Sequence, residues 1–387
     1  MSSKAGNGGS SKERDDERWT LVTGGAGFVG SNLVDRLARE GRRVRILDNL
    51  SRPGVERNAE WLRQRHDGKV DLVRADVRDR SAVKEALRDV GTVFHFAAQV
   101  AVTTSLDDPT EDFQVNLEGT FGLLEAIRRR PRPPRLFFTS TNKVYGSLPD
   151  VEMMKLSPGA SRYSPAQEEI RRHGISEARP LDFHSPYGCS KGGADQYVLD
   201  YSRTLGLETV VFRMSCIYGP RQFGTEDQGW IAHFLLRALA GESITLYGDG
   251  RQVRDVLFVE DLVEAFLAAE RQLPAVSGMA FNVGGGPENT LSLLELLDLI
   301  SELTGRRPAV DFASWRAGDQ RYYVSDTRRL QSLTGWRPQV GVKLGVRQLL
   351  QWLRQLSEPA EIAAPLPAPA ADRRRPEIVA QELGALG

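Results

Sequence analysis

Short apolar runs alternate with longer segments of helical periodicity through the first half of the chain. Thr20 to Val22 is an apolar run, and apolar residues recur at helical spacing from Ser31 to Glu40. The same alternation gives predicted strands at 43–47, 70–74, 92–96, 135–138 and 209–213, and predicted helices at 81–89, 111–128 and 187–205. Strands that alternate with helices are typical of a parallel sheet covered on both faces. The pattern therefore predicts an α/β fold with a doubly wound parallel sheet.

The alternation becomes less regular after Arg213, which predicts a second, smaller unit. Predicted helices lie at 229–240, from 260 onward, at 292–304 and up to Leu356, and predicted strands lie at 244–246, 254–259 and 281–283. We therefore expect a first domain over 19–213 and a smaller α/β C-terminal domain, mainly over 214–356, that partly returns to the first sheet. Residues 147–184 lack clear periodicity and form an insertion in the first domain. Such an insertion is typical of a lid or a subunit contact, and the sequence leaves both open.

The ends of the chain and its charge narrow the classes of protein. Residues 1–18 lack an apolar core and residues 357–387 are rich in Pro, Ala and Arg, so we expect a disordered leader and a disordered tail. The 51 basic and 51 acidic residues balance, which gives no electrostatic reason to expect nucleic acid or a membrane as partner. No segment approaches the roughly 20 apolar residues that cross a bilayer. Two cysteines form neither a disulfide framework nor a zinc site, so we expect a cytoplasmic protein without a metal.

A glycine-rich segment follows the first predicted strand directly. Gly24, Gly27 and Gly30 permit a tight turn, a close approach to a pyrophosphate and packing of the next helix against the strand. The start of that helix, at Phe28 and Val29, presents free N–H groups and a positive dipole end to phosphates. A merely flexible loop is the alternative. The strand and helix on either side favour a dinucleotide site in a Rossmann-type domain.

An acidic residue at the end of the second predicted strand strengthens this interpretation. Asp48 lies eighteen positions after Gly30, where a carboxylate is expected to bind the adenosine ribose hydroxyls. The same carboxylate repels a 2′-phosphate, so NAD is favoured over NADP, although Arg52 weakens this preference. Further cofactor contacts are expected beside Asp48 and where later strands end, at Asn49, Asp76, Val77, Ala97, Ala98 and Ser140.

Tyr187 and Lys191 lie four residues apart in the predicted helix 187–205. Residues at that spacing share one face of a helix, and a cation beside a phenol lowers the phenol's pKa toward the range that a base needs. A partly buried ring beside a solvated ammonium is the ordinary explanation of such a pair. Thr141 adds a hydroxyl after the strand 135–138, where open α/β sheets bind ligands. The cofactor site and Thr141 together favour a catalytic pair.

Taken in chain order, these features resemble the extended short-chain dehydrogenase/reductase family through the segment Thr23 to Gly30, Asp48, Asp76, Thr141, Tyr187 and Lys191. The resemblance spans roughly residues 19–356. It implies an NAD-binding domain, a smaller substrate domain and an enzyme that acts on a nucleotide-activated sugar. It also implies that Tyr187 accepts a proton, that Lys191 binds the nicotinamide ribose and lowers the pKa of Tyr187, and that Thr141 binds the reacting oxygen. Members of the family are commonly homodimers, so a homodimer is implied.

Two segments are similar to the CDP-paratose (CDP-tyvelose) 2-epimerases within that family, namely Ser140 to Gly146 and Tyr218 to Trp230. The triplet Thr141-Asn142-Lys143 replaces the Thr-Asp-Glu of sugar 4,6-dehydratases, so net dehydration is not expected. Cys216 stands where many 4-epimerases have an asparagine, which agrees with a different sugar or ring position. The resemblance implies an epimerase that oxidises a CDP-sugar at C2 to a keto sugar and then returns the hydride. A UDP- or TDP-sugar 4-epimerase, a net dehydrogenase and a non-catalytic NAD-binding protein remain alternatives.

Polar and basic side chains at loop ends are the candidates for substrate binding. Guanidinium groups bind the planar oxyanions of a diphosphate in a bidentate manner, and surface ion pairing is the alternative for each arginine. Together with Thr141, the candidates are Asn142, Arg221, Gln222, Arg254, Arg316 and Arg321.

Overall fold

Thirteen strands occur in the part of the chain that the computed structural model describes, residues 18–151, 160–316 and 318–356. They are β1 Trp19–Thr23, β2 Val44–Asp48, β3 Val70–Arg74, β4 Val90–His95, β5 Arg135–Thr141, β6 Thr209–Met214, β7 Cys216–Tyr218, β8 Ile244–Tyr247, β9 Val253–Phe258, β10 Met279–Val283, β11 Thr290–Ser292, β12 Val310–Ala313 and β13 Tyr322–Tyr323. Seven of them form one parallel sheet in the order β10–β6–β5–β4–β1–β2–β3. The strand order reverses between β1 and β4, and open α/β sheets bind ligands outside the carboxyl ends of such neighbours.

Helices cover both faces of this sheet. The helices of the described residues are α1 Phe28–Arg39, α2 Val55–Arg65, α3 Arg80–Ala86, α4 Val102–Asp107, α5 Pro109–Phe113, α6 Gly119–Arg128, α7 Glu168–His173, α8 Ser185–Leu205, α9 Trp230–Ala240, α10 Val259–Arg271, α11 Leu273–Val276, α12 Leu293–Thr304, α13 Arg328–Thr334 and α14 Val342–Leu356. Leu33 of α1 and Phe266 of α10 pack on one face, and Leu124 of α6 and Val198 of α8 pack on the other. These apolar stripes bury the strands on both sides, and the predicted doubly wound Rossmann-type fold is confirmed.

A second core lies beside the carboxyl ends of the parallel strands. Antiparallel β11 and parallel β13 flank β9, β7 also pairs with β9, and β12 pairs with β8 in a separate two-stranded sheet. Helices α9, α12 and α14 pack over these strands through Leu235, Leu296 and Leu349. The chain returns to the large sheet at β10, which pairs with β6. None of the described helices is long and apolar enough to cross a membrane.

Several elements differ from the pattern-based expectation. The helix expected over 111–128 is divided, because a π-helical turn at Gln114–Glu118 separates α5 from α6. Helix α2 was not expected, since its exposed face is so polar that few apolar positions mark its periodicity. Residues 1–17 of the predicted leader over 1–18 and the whole predicted tail over 357–387 lie outside the described residues.

The described parts of the 147–184 insertion pack against the second core. Leu148, Tyr163 and Ile175 share a buried cluster with Val253 of β9 and Tyr323 of β13. The backbone N–H of Ile175 donates to the carbonyl of Val324 at 2.7 Å, and the backbone N–H of Tyr163 donates to the carbonyl of Arg251 at 2.9 Å. Burial of these side chains anchors the insertion on β9 and β13 of the same chain.

Candidate active site

The glycine turn between β1 and α1 leaves no room for side chains at two of its glycines. Gly24 has φ +67°, and a Cβ on it would lie 2.7 Å from the backbone nitrogen of Ala97. A Cβ on Gly30 would lie 2.2 Å from the carbonyl oxygen of Gly24. The turn therefore packs directly on the end of β4 and on its own helix. The first N–H groups of α1, which begins at Phe28 after Gly27, have no partner within the helix and form an anion site beside this turn.

Asp48 is fixed at the end of β2 by two backbone donors. Its Oδ2 accepts the N–H of Ala26 at 3.0 Å, and its Oδ1 accepts the N–H of Leu50 at 2.9 Å. Burial raises the pKa of this carboxyl, and the backbone hydrogen bonds oppose that shift. The carboxylate thus lies against the glycine turn, where the ribose of a dinucleotide is expected.

The remaining expected adenosine contacts lie next to this carboxylate. Asn49 Nδ2 donates to Asp76 Oδ2 at 2.9 Å, and Arg78 also pairs with Asp76. The Arg78 guanidinium lowers the pKa of Asp76 to about 2, so this carboxylate is charged. Val77 is 6 % exposed, and its side chain packs closely on Gly119. Contact of these side chains with an adenine stays a prediction.

The strand ends beside the glycine turn supply small and polar groups. Ala97 N–H donates to Thr23 Oγ1 at 3.3 Å, and Ala98 follows it in the same loop. Ser140 is 2 % exposed, and its Oγ has no hydrogen-bond partner among the described residues. Buried hydroxyls are normally paired, so this orphaned oxygen agrees with a bound polar ligand. Together with the glycine turn, these residues form surroundings that fit a dinucleotide.

The structure brings the side chains of Tyr187 and Thr141 together. The side chain of Thr141, which ends β5, interacts with the Tyr187 phenol and acts to lower its pKa. Pro186 near the start of α8 sets the helical φ of its first turn, which carries the phenol to this strand end. Lys191 follows one turn later, 3 % exposed, with its Nζ 4.3 Å from the centre of the Phe138 ring. The three predicted catalytic residues therefore converge at the carboxyl end of the sheet.

The pKa values of Tyr187 and Lys191 are shifted by burial, which the sequence analysis did not anticipate. Burial raises the pKa of Tyr187 to about 12, while the Thr141 hydrogen bond and the charge of Arg52 act in the opposite direction. Burial also lowers the pKa of Lys191 to about 7, and the carboxylates of Asp195 and Asp112 oppose that shift. The expected lowered pKa of Tyr187 is therefore wrong for the chain itself. Desolvation of a phenolate outweighs the nearby hydrogen bond and charge.

A buried polar cluster beneath α8 was not recognised from the sequence. Asp112 is fully buried and accepts hydrogen bonds from the Ser190 hydroxyl and from Asn116 Nδ2, the latter at 3.0 Å. Ser105 Oγ accepts the backbone N–H of Tyr187 at 3.2 Å. The cluster holds the first turns of α8 on α4 and α5. The helical spacing of Asp112 and Asn116 was the available signal, but nothing local connects it with Ser190.

The three arginines expected to bind a diphosphate differ in their surroundings. Arg254 is 9 % exposed, and its Nη1 donates a hydrogen bond to the carbonyl of Val253 at 2.9 Å. Arg316 pairs with Glu226 and Asp227, and its guanidinium lies 3.6 Å from the centre of the Tyr247 ring. Arg321 is exposed and lies over Tyr163 and Trp315. Surface ion pairing thus describes Arg316, whereas Arg254 has no carboxylate partner among the described residues.

The other expected substrate residues differ in their surroundings as well. Asn142 Nδ2 donates to Gln320 Oε1 at 3.2 Å. Gln222 is buried, and its Oε1 has no partner among the described residues. Arg221 packs instead on the dinucleotide-binding half, with its guanidinium 3.6 Å from the centre of the Trp61 ring. Asn142 and Gln222 therefore remain better candidates for a substrate contact than Arg221 does.

Two basic residues near the site were not among the sequence candidates. Arg52 donates from Nη2 to Gln228 Oε1 at 2.7 Å, which joins the loop after β2 to the segment after β7. Lys143 donates from Nζ to the carbonyl of Gly318 at 2.9 Å, which joins the segment after β5 to the loop before β13. Each contact spans more than a hundred residues of chain, so no local pattern indicates it.

The model of the NAD dependent epimerase/dehydratase family matches residues 20–284. The chain belongs to this family. It is 41 % identical over 339 residues to the CDP-paratose 2-epimerase of Salmonella typhi, covering 86 % of this chain and 98 % of that protein. It is 34 % identical over 344 residues to a UDP-glucose 4-epimerase of Mycolicibacterium smegmatis, covering 88 % of this chain and 99 % of that protein. The crystal structure of the Thermus thermophilus UDP-glucose 4-epimerase in complex with NAD superposes with a TM-score of 0.71 at 34 % identity, covering 87 % of this chain and 99 % of that one.

Membership establishes the cofactor and the broad chemistry of this family member. The cofactor is NAD, and the protein belongs among the nucleotide-sugar epimerases and dehydratases. Three features of this chain fit the cofactor, namely the glycine turn, Asp48 and the Ser140 hydroxyl that has no partner among the described residues.

Proposed function

We propose that this protein is an NAD-dependent nucleotide-sugar epimerase that inverts C2 of a CDP-linked 3,6-dideoxyhexose. The observation that carries the proposal is the interaction of Thr141 with Tyr187. Tyr187 lies one helical turn before the buried Lys191, and both lie at the same end of the sheet as the glycine turn. The 41 % identity to a CDP-paratose 2-epimerase over nearly all of that protein supports the choice of nucleotide and ring position.

In this proposal Tyr187 is the base that moves the proton of the sugar hydroxyl. Bound NAD supplies the hydride acceptor and later the hydride donor. The phenolic oxygen of Tyr187 removes the hydroxyl proton, and Thr141 hydrogen-bonds the same sugar oxygen. The keto sugar turns its other face toward the cofactor, Tyr187 returns the proton, and the epimer forms without net redox change. Because burial and the charge of Asp112 raise the pKa of Tyr187, the phenolate requires positive charge nearby, which we assign to Lys191 and the oxidised nicotinamide.

The residues after Thr141 support epimerisation over dehydration. Loss of water from a sugar needs an acid and a base beside the keto group. Here Asn142 is hydrogen-bonded to Gln320, and Lys143 is hydrogen-bonded to Gly318. Neither side chain is a carboxyl group like the Asp and Glu that follow the threonine in the dehydratases. A UDP- or TDP-sugar 4-epimerase is the second candidate, since the same catalytic residues serve it and a relative with that name is 34 % identical.

Arg254 is our leading candidate for the diphosphate of the substrate. A buried guanidinium without a carboxylate partner is costly unless an anion joins it. Arg316 can serve the same anion only by leaving Glu226 and Asp227, and Arg321 lies farther out on the surface. Gln222 and Asn142 are assigned to polar groups of the same substrate.

The proposal predicts the outcome of one assay on the purified protein. We expect the protein to carry NAD without added cofactor and to interconvert the C2 epimers of a CDP-3,6-dideoxyhexose without accumulation of NADH. Proton NMR of CDP-, UDP- and TDP-sugars identifies the carbon that inverts, and absorbance at the NADH wavelength follows the redox state. Inversion at C4 of a UDP- or TDP-sugar would establish the second candidate instead. Stoichiometric NADH release would show a net dehydrogenase.

We also propose that the protein is a homodimer that pairs through the face formed by α4, α5 and α8. Leu106, Phe113 and Tyr197 on these helices are between 46 % and 52 % exposed, and Phe121 packs edge-on against Tyr197. Light scattering is expected to give the mass of a dimer, and Phe113→Asp is expected to give a monomer because a carboxylate cannot be buried there unpaired. Leu344→Asp is the matched control, since Leu344 is 49 % exposed on α14. A monomeric wild-type protein would refute this arrangement.

A further inference from the structure

Lys143 lies directly beside the catalytic residues. Its backbone N–H donates to Thr141 Oγ1 at 3.2 Å. Its carbonyl oxygen faces the first turn of α8, where a Cβ on Gly188 would lie 3.4 Å from it. The backbone of Lys143 is therefore confined between Thr141 and the residue that follows Tyr187.

The Lys143 side chain reaches the loop before β13 in the second core. Its Nζ donates to the carbonyl of Gly318 at 2.9 Å. Arg254 on β9, Cys216 on β7 and Asp319 act electrostatically on its ammonium. An ammonium has three donors, and the described residues account for one of them. No carboxylate forms a salt bridge with Lys143 or Arg254 within the described ranges. Lys143 and Arg254 are thus two interacting cations without a carboxylate salt bridge among the described residues.

The position of the reacting carbon decides where the substrate's phosphate lies. In a nucleotide sugar the diphosphate is attached through oxygen to C1, and C2 is bonded directly to C1. When C2 is presented to Tyr187 and Thr141, the sugar-linked phosphate must lie close to these two residues. When C4 is presented, the sugar ring separates the phosphate from them. Epimerisation at C2 therefore needs a cation next to the catalytic residues, which a C4 reaction does not need.

We propose that Lys143 binds the sugar-linked phosphate of the substrate and thereby favours reaction at C2 over C4. This inference rests on the proposed function. Lys143 is the cation that follows Thr141 most closely in the chain, and we assign Arg254, whose charge acts on Lys143, to the same diphosphate. The dehydratase triplet Thr-Asp-Glu has an acid at this place, which would repel such a phosphate. A phosphate between Lys143 and Arg254 also removes the repulsion between their charges.

Protonation of Lys143 gives a second observable. Burial and the charge of Arg254 lower its pKa to about 8, although Asp319 and Cys216 oppose the shift. The ammonium binds phosphate and the neutral amine does not. We therefore expect the affinity of the wild-type protein for CDP to weaken as the pH rises above about 8. Lys143→Arg keeps its charge over that range and should not show this decline.

The test compares the binding of CDP and CMP by titration calorimetry. CMP lacks the phosphate that would be attached to the sugar, so it isolates the contact with Lys143. We expect Lys143→Met to weaken CDP about ten- to hundredfold and to leave CMP unchanged, with Lys143→Arg retaining most of the CDP affinity. Lys343→Met is the control, because Lys343 is an exposed lysine on α14 that pairs with Glu302 of α12. Equal losses for CDP and CMP, or no loss for either, would overturn the assignment.

Turnover separates this inference from the proposed function. If the wild-type protein inverts C4, the proposed function fails whatever the Lys143 variants do. If it inverts C2 and Lys143→Met leaves the KM for the CDP-sugar unchanged, the role of Lys143 alone is wrong. If the wild-type protein inverts C2, we expect Lys143→Met to raise the KM for the CDP-sugar about tenfold or more and Lys143→Arg to have a KM close to that of the wild type. That result would support both the proposed function and the role of Lys143.

Discussion

Tyr187→Phe is expected to lower kcat by about 10²- to 10⁴-fold while the purified protein keeps its NAD. The substitution removes the phenolic oxygen that contacts Thr141 and leaves the buried ring in place. Without that oxygen no group at the end of β5 takes the proton of the sugar hydroxyl. Turnover is measured by NMR of the epimers, and bound NAD by absorbance after denaturation of the protein.

A second tyrosine on the same helix provides the control for this prediction. Tyr197 of α8 is 46 % exposed and packs on Phe121, away from Thr141. Tyr197→Phe should keep wild-type kcat. Undiminished turnover in Tyr187→Phe would exclude Tyr187 as the base. Loss of NAD from that variant would mean that the hydroxyl serves cofactor binding rather than proton transfer.

Gly30→Ala is expected to release NAD and to reduce the free energy of unfolding by roughly 1–3 kcal/mol. The new Cβ would lie 2.2 Å from the carbonyl oxygen of Gly24 and 2.6 Å from the Cα of Gly25. Backbone atoms cannot rotate away as a side chain does, so α1 must move from the glycine turn. That movement displaces the N–H groups at its start, which we assign to the pyrophosphate.

Gly122→Ala is the matched control for this prediction. Both glycines lie within α-helices, but a Cβ on Gly122 meets nothing within 4 Å. Alanine there should keep NAD and change stability by less than about 1 kcal/mol, in the stabilising direction. Thermal unfolding and the content of bound NAD are measured on both variants. Retention of NAD by Gly30→Ala would contradict the proposed role of the turn.

The sequence by itself determined the dinucleotide half of the molecule. The alternation of strands and helices up to residue 213 is a local pattern, and the structure contains the strands that it predicts. The glycine turn and Asp48 were also readable, because a turn, a strand end and a fixed spacing are properties of adjacent residues. The spacing of Tyr187 and Lys191 was recognised for the same reason, since both belong to one helix.

Only the tertiary structure decided which polar groups face one another. Asp112 and Ser190 meet across 78 residues, and Lys143 reaches Gly318 across 175. The arginines looked alike in the sequence, yet Arg316 is ion-paired and Arg254 is buried without a carboxylate among the described residues. The pKa of Tyr187 likewise rises because several elements bury it together. Burial and charge pairing depend on contacts between distant segments, and local periodicity carries no information about such contacts.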